Sequence, residues 1–340
     1  MILSKIMQSM YLKIYISIVT SNTQTYVSVH TLKGSKVKDL RIENFEGEEV
    51  SQRMISFIDT YISESPFYYV SYLDNSSHQG ALPTCKLEEF LEVNGNETYK
   101  TICYDGWSSY TSIVDLSKLE KKYASIGLDF VFSPFSILEN FFKDKIEAAA
   151  TLYALVQEDN ITIAIFEHSK LKYGEFLNID NTKFEHSIMT QEEEKNDLSF
   201  DEDQLSVNLE DIDIDEGFNE LDDFADIEDL DSIDDFEDFT DVSVNEKEIK
   251  QEQHLREEEH ENAGFNEDYR RFSAIKNALK TYYTDEKYEN SFIESIYIAS
   301  ACDLDHSLKN YLEEELFLKV FVRQVEITTE VFDLAKREKI

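Results

Sequence analysis

The chain has 340 residues, enough for two ordinary domains, and a formal net charge of −39. The acid is concentrated: residues 191–262 hold 31 acidic and four basic residues, so the rest of the chain is only mildly acidic. This sign of charge excludes a broad nucleic-acid surface, nine glycines and three prolines exclude collagen-like or Pro-rich architecture, and no run of 18 apolar residues supplies a membrane span.

Met1 to Met10 is short and mixed, without an unbroken apolar core or a small-residue cleavage site, so no signal peptide is read there. Tyr11–Val19 alternates in Ile, Tyr and Val and predicts a strand. It pairs through the polar turn Thr20-Ser21-Asn22-Thr23 with a second strand, Thr25–Leu32, and Val37–Phe45 gives a third. Val50–Ser63 places Met54, Ile55, Phe57, Ile58, Tyr61 and Ile62 at helical spacing. Phe67–Leu73 reads as a strand, Lys86–Leu91 as a short helix, Lys100–Tyr104 as a strand and Ser117–Tyr123 as a helix. Asp129–Val131 is a short strand, and Pro134 opens a helix to about Ile146, its missing N–H falling where none is needed. Ala150–Gln157, Ile161–Glu167 and Leu171–Asn178 form a three-stranded meander joined by Glu158-Asp159-Asn160 and His168-Ser169-Lys170.

Gln191 to Asn262 breaks the pattern. Dense like charge opposes compaction, and single apolar residues among carboxylates do not offset the ordering entropy, so the expectation is a disordered insertion. Lys247–Glu261 reads as a marginal helix within it. Order returns with an amphipathic helix over Tyr269–Tyr283, whose Phe272, Ile275, Leu279 and Tyr282 share a face. A strand over Ser291–Ala299, a helix over His306–Leu316, a strand over Leu318–Val325 and a short helix or tail over Val331–Lys339 complete the chain.

Both halves thus run strand, turn, strand, third strand, helix, strand, helix, strand. The fold class expected is α/β, with duplicated actin-like (ribonuclease H-like) lobes. The expected divisions are 1–146 for the first lobe and 147–190 for the start of the second. The acidic insertion occupies 191–262, and 263–340 completes the second lobe. Within the actin-like superfamily the chain resembles pilus-assembly proteins of the PilM type and the cytoplasmic domain of GspL-type secretion proteins. The resemblance rests on Leu152–Ile179 (phosphate hairpin and third strand), Gly127–Phe142 (crossover between lobes) and Phe292–Val322 (strand–loop–helix–strand).

Nucleotide binding in that superfamily implies two phosphate hairpins, with aspartate for Mg²⁺-bound water and glycine or small hydroxyl residues that let backbone N–H groups approach phosphate. The first hairpin here, around Thr20, Ser21 and Asn22, has hydroxyls but neither aspartate nor glycine. The second, Glu158, Asp159 and Asn160, has adjacent carboxylates and no glycine. The adenine-side loop, with Ser300, Ala301 and Cys302, also has none. Three departures together argue against ATP hydrolysis, so no cofactor, no catalytic residue and no metal site is expected, and ordinary turn chemistry accounts for these positions.

Other motifs are weaker. Asp211, Asp213, Asp215 and Gly217 resemble an EF-hand loop with its glycine one place late, and His254 and His260 lie among glutamates; both read as solvated acidic sequence. Cys85, Cys103 and Cys302 are odd in number and form no CxxC, so neither a disulfide framework nor a structural zinc is expected, and Cys302 reads as an inert thiol. Within the acidic stretch, Phe218, Leu221, Phe224, Ile227, Leu230, Ile233 and Phe236 recur every three residues. That spacing suits a docking arm for a partner with a basic apolar groove, or a solubilising spacer.

The resemblance implies a non-catalytic scaffold at the cytoplasmic face of an inner-membrane type II secretion, type IV pilus or DNA-uptake machine. Its partners would be the assembly ATPase and an inner-membrane assembly protein, with a homodimer also compatible and no nucleic acid. Membrane contact would be indirect, or through a span following the basic end "FDLAKREKI". The alternatives are an active actin-like ATPase of the FtsA/PilM type and a stand-alone acidic regulator.

Overall fold

Strand β1 (Leu12–Thr20) is buried on both faces from Ile14 to Val19, as a strand at the centre of a covered sheet must be. It pairs antiparallel with β2 (Gln24–Lys33), which pairs with β3 (Lys36–Glu46). On its other side it runs parallel to β4 (Tyr68–Leu73), which runs parallel to β8 (Phe130–Phe132). The computed structural model describes residues 11–86, 98–146, 149–179, 267–288, 291–304 and 306–338. The expectations for Met1–Met10, for nearly all of Lys86–Leu91 and for the whole of 191–262 lie outside them.

Helix α1 (Gln52–Ile62) starts where the Ser51 hydroxyl accepts the Met54 N–H at 3.1 Å, and buries Met54 and Ile58 against Ile14, Ile16, Ile18, Val27, Val29 and Val70. Between β4 and β8 come β5 (Gln79–Leu82), β6 (Tyr99–Cys103), β7 (Ser108–Ser112) and α2 (Ile113–Lys122). Helix α2 begins four residues before the predicted start because Ser112 caps it, its hydroxyl accepting from the Val114 N–H at 3.2 Å. Helix α3 (Pro134–Phe141) is shorter than predicted, ending at Phe142.

The second sheet repeats the first. Strands β9 (Thr151–Val156), β10 (Asn160–Glu167) and β11 (Lys170–Asn178) form the antiparallel meander. A helix over residues 267–284 (α4) leads to β12 (Ser295–Ser300), parallel to β9. Helix α5 (His306–Leu316) then leads to β13 (Lys319–Gln324), parallel to β12. The order β13-β12-β9-β10-β11 therefore mirrors β8-β4-β1-β2-β3. This duplication, with matching strand directions and helix placements, is the actin-like plan of two ribonuclease H-like lobes.

The lobes exchange their last helices. Helix α3 follows the first sheet yet packs on β9 and β10, whereas α6 (Ile327–Arg337) follows the second sheet and packs on β1, β2 and β4. The C-terminal segment is thus a docked helix starting four residues before the predicted one, with Val331, Phe332 and Ala335 buried. Phe332 stacks on His30 of β2, ring centroids 3.9 Å apart.

Two features depart from expectation. Strands β5 and β7 are not predicted, and with β6 they extend the second sheet, in the order β11-β5-β7-β6, although they lie within 1–146. Their Ser-, Thr- and Gly-rich sequences carry little apolar periodicity; pairing to β11 makes them strands. This arrangement also corrects the expectation against a disulfide. Leu82 and Cys103 flank Ser108 of β7, bringing Cys85 and Cys103 to a Cα–Cα distance of 5.4 Å, and the two are bridged.

Candidate functional site

The turns β1–β2 and β9–β10 lie at matching positions of the two lobes and face each other across a cleft. Sequence reasoning placed Thr20, Ser21, Asn22, Glu158, Asp159 and Asn160 there, and the fold brings these turns together. The Asn22 N–H donates to Asp159 Oδ2 at 2.6 Å, and the Tyr26 hydroxyl donates to Glu158 Oε1 at 2.9 Å. Burial, followed by the hydrogen bond to Glu158 and the neighbouring carboxylates, pushes the Tyr26 phenol up to about 12. The carboxylates of the second turn thus serve as acceptors for the first.

Asn75 braces the junction from the loop after β4. Its Nδ2 donates to the Thr20 carbonyl at 3.0 Å and to Gln157 Oε1 at 3.2 Å, and its Oδ1 accepts from Gln157 Nε2 at 3.1 Å. Gln157 Nε2 also donates to Asn160 Oδ1 at 2.7 Å. Thr20 is tied to the Tyr72 hydroxyl at 2.7 Å. Ser300 and Ala301 close the far side: the Ala301 N–H donates to the Val156 carbonyl at 2.9 Å, and the Val325 N–H to the Ser300 carbonyl at 2.8 Å. Cys302 is half-buried, and burial raises its thiol pKa despite an opposing effect from Arg271, the basic neighbour that the sequence did not reveal.

The open part of the cleft, about 340 Å³, is lined by Asp74, Ser76, Asp115, Lys118 and Lys122 besides the turn residues. Asp74 is buried and engaged, accepting the Ser76 N–H at 3.0 Å and the Thr111 hydroxyl at 2.8 Å. Burial opposes ionisation of Asp115, but bonds from Lys118 at 2.9 Å and His78 at 2.8 Å outweigh it and hold the carboxyl below its usual range. Sequence reasoning missed Asn75, Gln157, Tyr26 and Asp74. A usable signal was present for two of them: Asp74-Asn75 directly follows a parallel strand, where α/β sheets gather ligands and polar junctions.

A second concavity of about 230 Å³ lies between the edges of the two sheets. Lys100 and Ile102 of β6 and Tyr110 of β7 form one wall, Leu116 of α2 another, and Leu128, Val131 and Phe132 at β8 the third. Both β6 and β8 are terminal strands of their sheets among the described residues. The proposed partner-binding residues Phe218, Leu221, Phe224, Ile227, Leu230, Ile233 and Phe236, and His254 and His260, lie outside the described residues. Among those residues no cluster of three or more metal-ligating side chains occurs, and no helix is long and apolar enough to cross a membrane.

A family model described as Domain of unknown function (DUF8341) matches residues 152–339, and another, Domain of unknown function (DUF8569), matches residues 11–139. No curated protein matches. A Bacteroides thetaiotaomicron protein with an actin-like ATPase fold and unknown function is similar, at 13% identity over 94% of this chain and 95% of that one, with a TM-score of 0.43. The PilM–PilN type IV pilus biogenesis complex is similar at 8% identity over 92% of this chain and 88% of that one, TM-score 0.48. The ethanolamine utilization protein EutJ of Carboxydothermus hydrogenoformans is similar at 8% identity over 92% and 84%, TM-score 0.39.

Proposed function

We propose, for a chain that belongs to the family described as Domain of unknown function (DUF8341), a role as a non-catalytic actin-like scaffold. The observation that carries this reading is the bond from the Asn22 N–H to the Asp159 carboxylate. In an actin-like nucleotide site, backbone N–H groups of the hairpins are the groups that would meet phosphate. Here one of them is matched by the protein's own anion, and Tyr26 and Asn75 fasten the same two turns. Glu158 and Asp159 place two carboxylates at this junction, where a phosphate would sit.

The docking part of the role is assigned to the groove between β6, β7, α2 and β8. Its apolar residues alternate with Lys100, Glu120 and Asp129 beside two terminal strands, which suits an extended amphipathic segment of a partner that gains main-chain bonds from a strand edge and specificity from side chains seated on Leu116, Leu128 and Val131. With the sequence resemblance, the partner is an inner-membrane assembly protein of a secretion, pilus or DNA-uptake apparatus. An assembly ATPase is recruited to the same cytoplasmic platform. Calorimetry and phosphate release on the full chain test the first part: the scaffold gives no saturable heat with MgATP and no turnover. Micromolar binding with hydrolysis would establish the active ATPase instead. For the docking part, Leu116→Asp, at a groove residue outside the core clusters, abolishes capture of the partner while leaving the fold intact by circular dichroism; undiminished capture contradicts the groove assignment.

A further inference from the structure

The Cys85–Cys103 bridge ends on a wall of that groove. Cys103 is the last residue of β6, the strand that supplies Lys100 and Ile102. Strand β6 is terminal in its sheet, is paired only to β7 among the described residues, and exposes Lys100, Thr101, Ile102 and Cys103. Such a strand has little burial to hold it, so local opening is inexpensive. The bridge fastens its end to Cys85, on the far side of β7, where the Ser108 hydroxyl also holds the Thr84 carbonyl at 2.6 Å. Both cysteines are exposed and open to a reductant. Cys85 Sγ also lies 3.4 Å from the carbonyl oxygen of Trp107, the single tryptophan of the chain, whose ring is buried and stacks on Tyr104 at 4.1 Å.

We propose that this bridge is a redox-operated clasp that governs the groove: bridged, it keeps β6 in the sheet and the groove walled; reduced, it lets β6 detach and opens that wall. A dithiol reductant supplies the two electrons and two protons. Its thiolate attacks one sulfur, the Sγ–Sγ bond breaks, and a mixed disulfide forms. The second thiol of the reductant resolves it, leaving Cys85 and Cys103 as thiols and the reductant as a disulfide. On a chain proposed to act at a cytoplasmic face, an exposed bridge suits a regulatory role better than a permanent staple.

The proposal rests on the groove reading for its consequence but not for its test, which needs no partner. On the full chain, free thiols are counted, and hydrogen exchange of residues 99–103 and Trp107 emission are read before and after dithiothreitol. The clasp predicts one free thiol rising to three, exchange in β6 accelerating by about tenfold, and a red shift of Trp107 emission. Cys103→Ser shows the accelerated exchange without reductant. Three free thiols after treatment with oxidised glutathione, or β6 exchange that reduction leaves unchanged, would overturn it. If exchange responds but partner capture is the same in both redox states, the clasp stands and the groove assignment fails.

Discussion

His30 shows how one side chain couples the C-terminal helix to pH. Its ring is 3% exposed, lies flat on Phe332, and has an Nδ1 with no hydrogen-bond partner among the described residues. Burial, only partly offset by Asp333, lowers its pKa from 6.5 to about 4. The folded pKa is below the unfolded one, so the neutral ring's contribution is complete above pH 6.5. It is lost as pH falls from there to about 4, on the order of 3 kcal/mol in all. Urea titrations of wild type and His30→Leu across that window are expected to diverge, with only the wild type carrying this part of the slope. At the cleft, Asp159→Ala removes the acceptor of the Asn22 N–H; because the site is exposed, the expected loss is about 1 kcal/mol in the same assay. Equal stability of the variant would show that the turns are held by the Tyr26–Glu158 bond and by Asn75 with Gln157.

Among the elements, the join between β5 and β11 decides whether β5, β7 and β6 belong to the second sheet. Gly174 pairs with Ala81, and a methyl group at Gly174 would lie 2.6 Å from the Ala81 Cβ and 3.0 Å from its carbonyl oxygen. Gly174→Ala is therefore expected to cost about 2 kcal/mol, and Ala81→Gly in the same chain to recover part of it, a coupling that a double-mutant cycle by thermal melting reads directly. Helix α6 is held through Phe332, which is 3% exposed, and Phe332→Ala is expected to cost about 3 kcal/mol. A loss below about 1 kcal/mol would mean that the helix is only loosely docked. These elements also mark what the sequence made legible. The two meanders and the helices α1, α4 and α5 follow from apolar periodicity and polar turns. Strands β5 and β7 could not be read because Gln79–Leu82 and Ser108–Ser112 owe their conformation to tertiary pairing. The disulfide was hidden for the same reason: spacing along the chain does not reveal that β7 lies between its two ends.

For the molecule as a whole, the duplicated lobes supply a cleft, and chemistry at its centre decides its use. The turn positions were legible because the two halves repeat one pattern; the bonds between them were not, because they join residues 137 and 132 positions apart. In the proposed scaffold the hairpin turns are matched to each other and not to a nucleotide. The Asn22 amide resonance reports this most directly when the full chain is titrated with MgATP. This resonance is expected to stay in place up to millimolar nucleotide and to move in Asp159→Ala, where its acceptor is gone. A saturable shift of the wild-type Asn22 amide at micromolar MgATP would contradict it.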